Sequence, residues 1–455
     1  MTLSLKDTVS YAEIKSRIQQ YLKEHDDLDL SELSAVSLMV DTIAAGIEVS
    51  KFEVLRALQE TFLQSAVLPD SIYQLIDTLH VQLVCKSPCY SSLTVSSRQT
   101  TRIPAYTQFV SDGLYVYNRE RATANTTPQN IEVYQGQVQR ESLMVEDDKP
   151  SITLKYDNFR VSLDDIHVLV GSTEWNAFNG DEYALSATDR VFLTDVNYKG
   201  EVKIYFGNGT FGALPSIGDK IEIAYAITDG AKGNQQIQSK LFVSTDYPQI
   251  TAYGVGTLLG GDDERDAEFY KTYGPWLSAS KGWASRKKDF AAIASKFPGV
   301  VDCSVQGQAD IAPNDRRWEN FIQLTLLTKD TWSGSSWSKL TTNLAMASSD
   351  VLHFLKKDAV PIKINVGFTV YCASNALLDS VKHNVEDALK AFLSPKAKCL
   401  GKSVFMGDLE QVLVKADPTY IVSYTRNFPN TDYTNLEYYE YVTYDTITIN
   451  CEYAQ

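Results

Sequence analysis

The hydrophobic period of this chain changes twice, and each change dictates a different architecture. Before Cys85 the apolar side chains recur at helical spacing. In "YAEIKSRIQQYLKEHDD" they are Tyr11, Ile14, Ile18, Tyr21 and Leu22, one face of a helix. The next run carries Val36, Met39, Val40, Ile43, Ile47, Val54, Leu55, Leu58 and Phe62, with Ser34 placed as an N-cap. Pro69 breaks the pattern, and Asp70 or Ser71 is expected to cap a third helix through Ile72, Leu75, Ile76 and Leu79. Three such helices fit a self-contained subdomain or a bundle completed by other chains.

From about Cys85 to Leu259 the period falls to two. Runs such as "SITLKYD", "IHVLVG", "RVFLTD" and "IEIAYAI" alternate between Gly, Asn and Asp turns, as strands do. "PAYTQFVSDGLYVY" reads as a hairpin about Ser111-Asp112-Gly113. After Leu259 helices and strands alternate. "DFAAIASKFPGVVDCSV" and "MGDLEQVLVKADPTYIVSYT" both read helix, turn, strand, each with a further strand behind it. They look like a diverged repeat of two lobes, each with helices on one face of a mainly antiparallel sheet. Long helices are expected over "WSKLTTNLAMASSDVLHFLKK" and "ASNALLDSVKHNVEDALKAFL". The fold class is therefore multidomain α+β. The expected division is 1–84 helical, 85–150 hairpin and linker, 151–259 β-rich, 260–330 a first α+β lobe and 331–455 a second.

Two motifs raise enzymatic readings and fail on context. Gly207, Gly209 and Gly212 spell G-x-G-x-x-G after the strand "EVKIYF". A dinucleotide site needs a helix at the third glycine, whose free N–H groups hold the pyrophosphate. Pro215 and Gly218 fall inside that helix and exclude it, and the alternating Ile221, Ile223 and Tyr225 follow. The glycines are expected to serve turns. Asp262 and Asp263 echo a paired-carboxylate metal site but lack further acidic ligands. One of them is expected to cap a helix with an acidic first turn.

Bulk properties agree. The 455 residues are too many for one ordinary core, and the net charge of −15 disfavours a general nucleic-acid or anionic-membrane binder. The N-terminus lacks the apolar core of a signal peptide, and no apolar run approaches membrane-spanning length. Cys85, Cys89, Cys303, Cys372, Cys399 and Cys451 are scattered, with no histidine cluster to complete a zinc site. No catalytic residue, cofactor or metal is expected.

Five segments, in order, resemble the baseplate J-like family, the wedge proteins of contractile-tail phages and related injection machines. They are the helical stretch ending "ETFLQSAVLPDSIYQLIDTL", then "RIPAYTQF", then "VKIYFGNGTFGALPSIGDKIEIAYAITDGAKGN", then "GGDDERDAEFY", then "DFAAIASKFPGVVDCSV". The third matches a family pattern of Phe206, Gly207, Asn208, Gly209, Gly212, Pro215, Gly218, Tyr225, Gly230, Gly233 and Asn234. In the second, Tyr106 stands where the family commonly has glycine.

The resemblance implies structural turns at these glycines and at Gly260 and Gly261, and no enzymatic activity. It implies a virion protein of the tail baseplate, assembled in the host cytoplasm. The implied partners are a second copy, a second wedge protein, a small lysozyme-like sheath-initiating wedge protein and the tail hub, without nucleic acid or membrane. It also favours a bundle shared with a partner chain, with Ile14, Ile18, Leu22, Ile43, Ile47, Leu55 and Phe62 in the joint. A receptor- or glycan-binding tail component, or a subunit of a phage-derived injection system, is the alternative.

Overall fold

The structure is a computed structural model. It describes residues 11–25, 34–146, 150–178, 183, 185–329, 334–349, 351–395, 399–427 and 432–454. The chain divides into two compact units. The first comprises 1–81 with 266–271, and the second 82–265 with 272–455.

The first unit holds helices α1 (Tyr11–His25), α2 (Ala35–Glu60) and α3 (Pro69–Thr78). The Ser34 hydroxyl accepts from the Ser37 N–H at 3.0 Å, the N-cap expected of it. α1 lies on α2, and Ile14, Val40 and Ala44 are buried. Tyr11 Oη donates to Asp41 at 2.7 Å, and Lys15 pairs with the same carboxylate. Neither Asp70 nor Ser71 caps α3. Its N-cap is Leu68, and Pro69 occupies the first turn, where the missing N–H costs nothing. Proline here starts a helix. The Glu60 carboxylate holds the approach, accepting from the N–H groups of Val67 and Leu68.

The second unit begins with strands β1 (Tyr90–Ser97), β2 (Thr101–Ile103), β3 (Gln108–Ser111), β4 (Leu114–Tyr117), β5 (Ala122–Ala124) and β6 (Gln129–Gln135). The chain then makes β7 (Gln137–Met144), β8 (Ser151–Thr153), β9 (Val161–Val170), β10 (Thr173–Ala177), β11 (Val191–Val196), β12 (Val202–Phe206) and β13 (Lys220–Ile227). It returns with β14 (Leu241–Ser244) and β15 (Ile250–Leu259). A closed barrel runs β1-β15-β14-β3-β4-β6, and a seven-stranded sheet runs β7-β13-β9-β10-β11-β12-β8. Alternate barrel residues, among them Leu93, Val95, Phe109, Val116 and Phe242, are fully buried and fill the interior. The sheet is thus inserted between β6 and β14. Strand pairing joins 90–135 to 241–259, so the expected hairpin-and-linker region over 85–150 is instead mostly barrel wall. Period-two patterning locates strands but says nothing about which strands pair.

The hairpin at Asp112-Gly113 is a two-residue turn with Ser111 opposite Leu114. Its central φ values of 48° and 80° are those of the primed turn that suits twisted strands. Tyr106, at the glycine-like position, takes φ 59° and so keeps the left-handed turn despite its side chain. Its ring stacks on Tyr117 at 5.8 Å and meets the His167 ring edge-on at 4.7 Å, contacts that offset the strain.

The C-terminal half holds α4 (Ala267–Ser280), α5 (Lys287–Lys296), β16 (Val300–Gln306), α6 (Gln308–Ile311), β17 (Phe321–Thr328), α7 (Gly334–Met346) and β18 (His353–Asp358). It continues with β19 (Val360–Cys372), α8 (Leu378–Leu393), α9 (Met406–Ala416), β20 (Ile421–Arg426) and β21 (Glu440–Tyr453). Two lobes form, with sheet orders β16-β17-β18 and β20-β19-β21. The first lobe extends to Asp358, beyond the expected boundary at 330. "HFLKK", expected to be helical, is β18, paired parallel to β17. Each sheet is mixed rather than mainly antiparallel, with one antiparallel and one parallel ladder. The two helix–strand steps have different neighbours: β16 pairs with the strand after it, whereas β20 pairs with β19 before it. The repeat is one of local pattern, not of topology. Asp302 ties the lobes together. Its buried carboxylate accepts from Tyr273 Oη at 2.6 Å and from the N–H groups of Cys399 and Leu400 at 2.8 and 2.9 Å.

Candidate interaction surface and glycine junction

The turn after β12 has no helix at its third glycine. Asn208 Oδ1 accepts from the N–H groups of Thr210 and Phe211, and the Gly209 N–H donates to the Gly212 carbonyl at 3.0 Å. Gly209, Gly212 and Gly218 all take positive φ. A Cβ on Gly207 would lie 2.3 Å from the Gly212 backbone, so two arms of the loop pass too closely for any side chain. The Gly212 N–H is itself consumed, donating to the Ser186 carbonyl at 3.1 Å. These N–H groups close a loop and do not converge on an anion.

The remaining glycines form a junction. Asn234 and Gly261 exchange two hydrogen bonds, with the Gly261 N–H donating to Asn234 Oδ1 at 3.0 Å and Asn234 Nδ2 donating back to the Gly261 carbonyl at 3.1 Å. A Cβ on Gly261 would sit 2.4 Å from the Gly230 carbonyl, and one on Gly233 would sit 2.8 Å from Cys89 Sγ. Gly260 lies against the Tyr90 ring in the same way. Glycine is required here because the segments before β1, after β13 and after β15 approach one another closely.

Asp262 and Asp263 complete this junction and cap no helix. The helix cap is Asp266, whose carboxylate accepts from the Phe269 N–H at 2.8 Å. Asp263 Oδ1 accepts from the Ala231 N–H. Asp262 is 2% exposed and pairs with Arg265 at 3.1 Å and Lys329 at 2.5 Å, and it accepts from the Gly299 N–H at 2.8 Å. Burial would raise its carboxyl, but Arg265, Lys329 and the Gly299 N–H outweigh burial and hold it below the usual carboxylate range. Its oxygens are committed to protein cations, and it ties the barrel end to the first α+β lobe. Cys85 and Cys89 lie nearby with thiols pushed up to about 12, chiefly by burial, so they stay protonated and unreactive at neutral pH. Among the described residues no group of three or more His, Cys, Asp or Glu side chains could hold a metal ion. Among them, too, no helix is long and apolar enough to cross a membrane.

The other candidate surface is α2. Of the seven residues assigned to a partner joint, Ile14 is buried, and Ile18, Leu22 and Leu55 are half-buried. Ile43, Ile47 and Phe62 are 53%, 37% and 61% exposed. Leu38, Met39, Val49, Phe52, Val54 and Leu58 are exposed as well. Met39, Ile43, Ile47, Val54 and Leu58 follow one another at spacings of four or seven, a continuous seam on one side of the helix. Leu38, Val49 and Phe52 lie off that seam, so the apolar surface wraps round much of the helix. The sequence signal for these three was their mere presence, since a helix that is apolar nearly all round is normally buried all round.

No family model and no curated protein sequence matches the chain. Among solved structures it is similar to a chain of the "Cryo-EM structure of the anti-feeding prophage (AFP) baseplate, 6-fold symmetrised", with 11% identity over 95% of this chain and 90% of that one and a TM-score of 0.33. A likeness at that TM-score establishes neither a shared fold nor a shared role. The resemblance to baseplate J-like proteins therefore rests on the five ordered segments of the sequence alone.

Proposed function

We propose that the chain is a non-enzymatic structural subunit of a contractile-tail baseplate, a wedge protein that joins its neighbours through shared helices. The observation that carries this reading is the uncovered seam of α2. A soluble protein rarely leaves so large an apolar surface open unless a partner covers it. The five ordered segments supply the kind of partner: a second copy of the chain and a second wedge protein, in a ring that also meets the small lysozyme-like wedge protein and the hub. The role needs no cofactor, and the G-x-G-x-x-G and Gly-Asp-Asp stretches are both occupied by structural bonds. A machine that holds together before contraction and rearranges afterwards depends on interfaces with two arrangements rather than on chemistry.

The test is co-purification with the second wedge protein, taken from a neighbouring gene. Wild type should form the complex. Ile43→Asp with Ile47→Asp should not, because the bundle would bury unpaired charge. Both positions are exposed in the single chain, so its circular dichroism and melting should stay unchanged. Normal complex formation by the double variant would end the proposal. So would a gene neighbourhood with no sheath or hub gene in it.

A further inference from the structure

On this acidic chain the loop before α5 and the first two residues of that helix carry only basic charge. Residues 281–288, "KGWASRKK", carry Lys281, Arg286, Lys287 and Lys288 with no carboxylate, against a net charge of −15 for the whole. Trp283 stands 54% exposed in the middle of the loop. The backbone presents it firmly. Lys281 and Gly282 take φ of 47° and 80°, the Trp283 N–H donates to the Ser280 carbonyl at 2.8 Å, and the Ala284 N–H anchors to the Ala347 carbonyl at 2.7 Å. Beside it, Trp276 has Lys288 Nζ 4.2 Å and Arg286 Cζ 5.6 Å from its ring centroid.

Two of the four cations are already neutralised. Arg286 pairs with Asp289 at 3.0 Å and Lys287 with Asp310 at 2.8 Å. Among the described residues Lys281 and Lys288 form no ion pair, and they flank the exposed indole in sequence. We infer that this loop docks an acidic peptide segment of a partner protein, with carboxylates on Lys281 and Lys288 and an apolar side chain against Trp283. An exposed tryptophan within a basic stretch is the composition of an interface anchor, and charge complementarity selects an acidic partner. A nucleic acid suits the patch less well. Tracking phosphates takes a stripe of many free cations, whereas two suffice for a short acidic segment. The inference stands on the patch alone and holds whether or not the baseplate reading does.

The experiment is fluorescence anisotropy on the full chain, with a fluorescein-labelled peptide rich in Glu and Asp and holding one Phe. Binding should weaken at high salt and vanish for the Gln/Asn version of the peptide. Trp283→Ala, and separately Lys281→Glu with Lys288→Glu, should each weaken it about tenfold or more, the loss expected on removing an anchor. All three positions are exposed, and unchanged circular dichroism would show the variants folded. No binding to wild type, or equal binding by the variants, would overturn the inference. A single-stranded oligonucleotide that binds more tightly through the same residues would overturn it in favour of nucleic acid.

Discussion

The barrel and α2 use the same apolar residue types to opposite ends. Phe109, on β3, is fully buried in the barrel, whereas Phe62, just past the end of α2, is 61% exposed. A barrel has no free edge, and its alternate side chains fill their own interior, so its stability is complete within one chain. α2 packs with α1 and is buried at Val40 and Ala44, yet it leaves Leu38, Met39, Ile43, Val49, Phe52, Val54 and Leu58 exposed. A closed core and an open seam can thus be told apart by exposure at equal hydrophobicity. The barrel's residues specify a fold; on the reading proposed above, the seam's residues specify an assembly.

The sharpest break of that comparison is a matched pair of truncations. Phe109→Ala should cost about 3–5 kcal/mol in chemical denaturation of the purified chain, through lost transfer energy and the cavity left behind. Phe62→Ala should stay within about 0.5 kcal/mol, as exposed substitutions do. If Phe62→Ala proved as damaging as Phe109→Ala, the seam would be a core of the single chain and the distinction would fall.

Asp262→Asn tests the glycine junction, where polar groups rather than apolar ones close the structure. It removes the negative charge that faces Lys329 and buried Arg265, and about 3 kcal/mol of stability should be lost at neutral pH. The sign with pH follows from the depressed carboxyl. Stability from the ionised form is present above the unfolded value, about 3.9, and is lost as pH falls through the lower folded value. The gap between wild type and Asp262→Asn should therefore be full at pH 6 to 7 and close below about pH 4. A gap that widened on acidification would show that Asp262 does not act as a paired carboxylate.

Next in size is the turn after β12. Gly209 has φ 81° and open space around it, so Gly209→Ala should cost about 1–2 kcal/mol from backbone strain alone. Gly207→Ala should cost more, because its methyl group would meet the Gly212 backbone and force the loop apart. Both losses should appear as lower melting temperatures with no change in any ligand response. A shift in melting with NAD or GTP would bring the nucleotide reading back.

How much of this was legible in the sequence depended on how local the physics was. Ser34 as a cap, Asp112-Gly113 as a hairpin turn and the exclusion of a helix after Gly212 are decisions made within a few residues, and the sequence carries them. Pairing across distance is not written there. Nothing in "YSSLTVSS" says that it bonds to residues 250–259 rather than to its neighbours, so the inserted sheet could not be seen. "HFLKK" followed a helical run closely enough to be absorbed into it, although it is a strand held by β17. A cap is expected at Asp262 or Asp263 because the partners of Asp262, Lys329 and Gly299, are distant in sequence. The α2 seam was visible as periodicity, but periodicity cannot distinguish a face covered by the same chain from one left open.

The smallest expected effect separates those two cases at a single atom. Gly46 lies inside α2, three residues after Ile43 and one before Ile47, and an added Cβ meets nothing within 4 Å. Glycine inside a helix is less favourable than alanine because the unfolded chain loses more freedom on ordering. Gly46→Ala should therefore stabilise the single chain by about 0.5–1 kcal/mol. The same methyl group projects beside the seam, where a partner helix would have to approach. If a helix packs closely there, as small residues permit, the variant should bind the second wedge protein more weakly while the chain itself melts later. The two readouts then move in opposite directions, which a merely solvated helix would not produce. A gain in stability with unchanged complex formation would place the partner elsewhere along α2, and a loss of stability would mean that Gly46 is not the open helical position that its surroundings indicate.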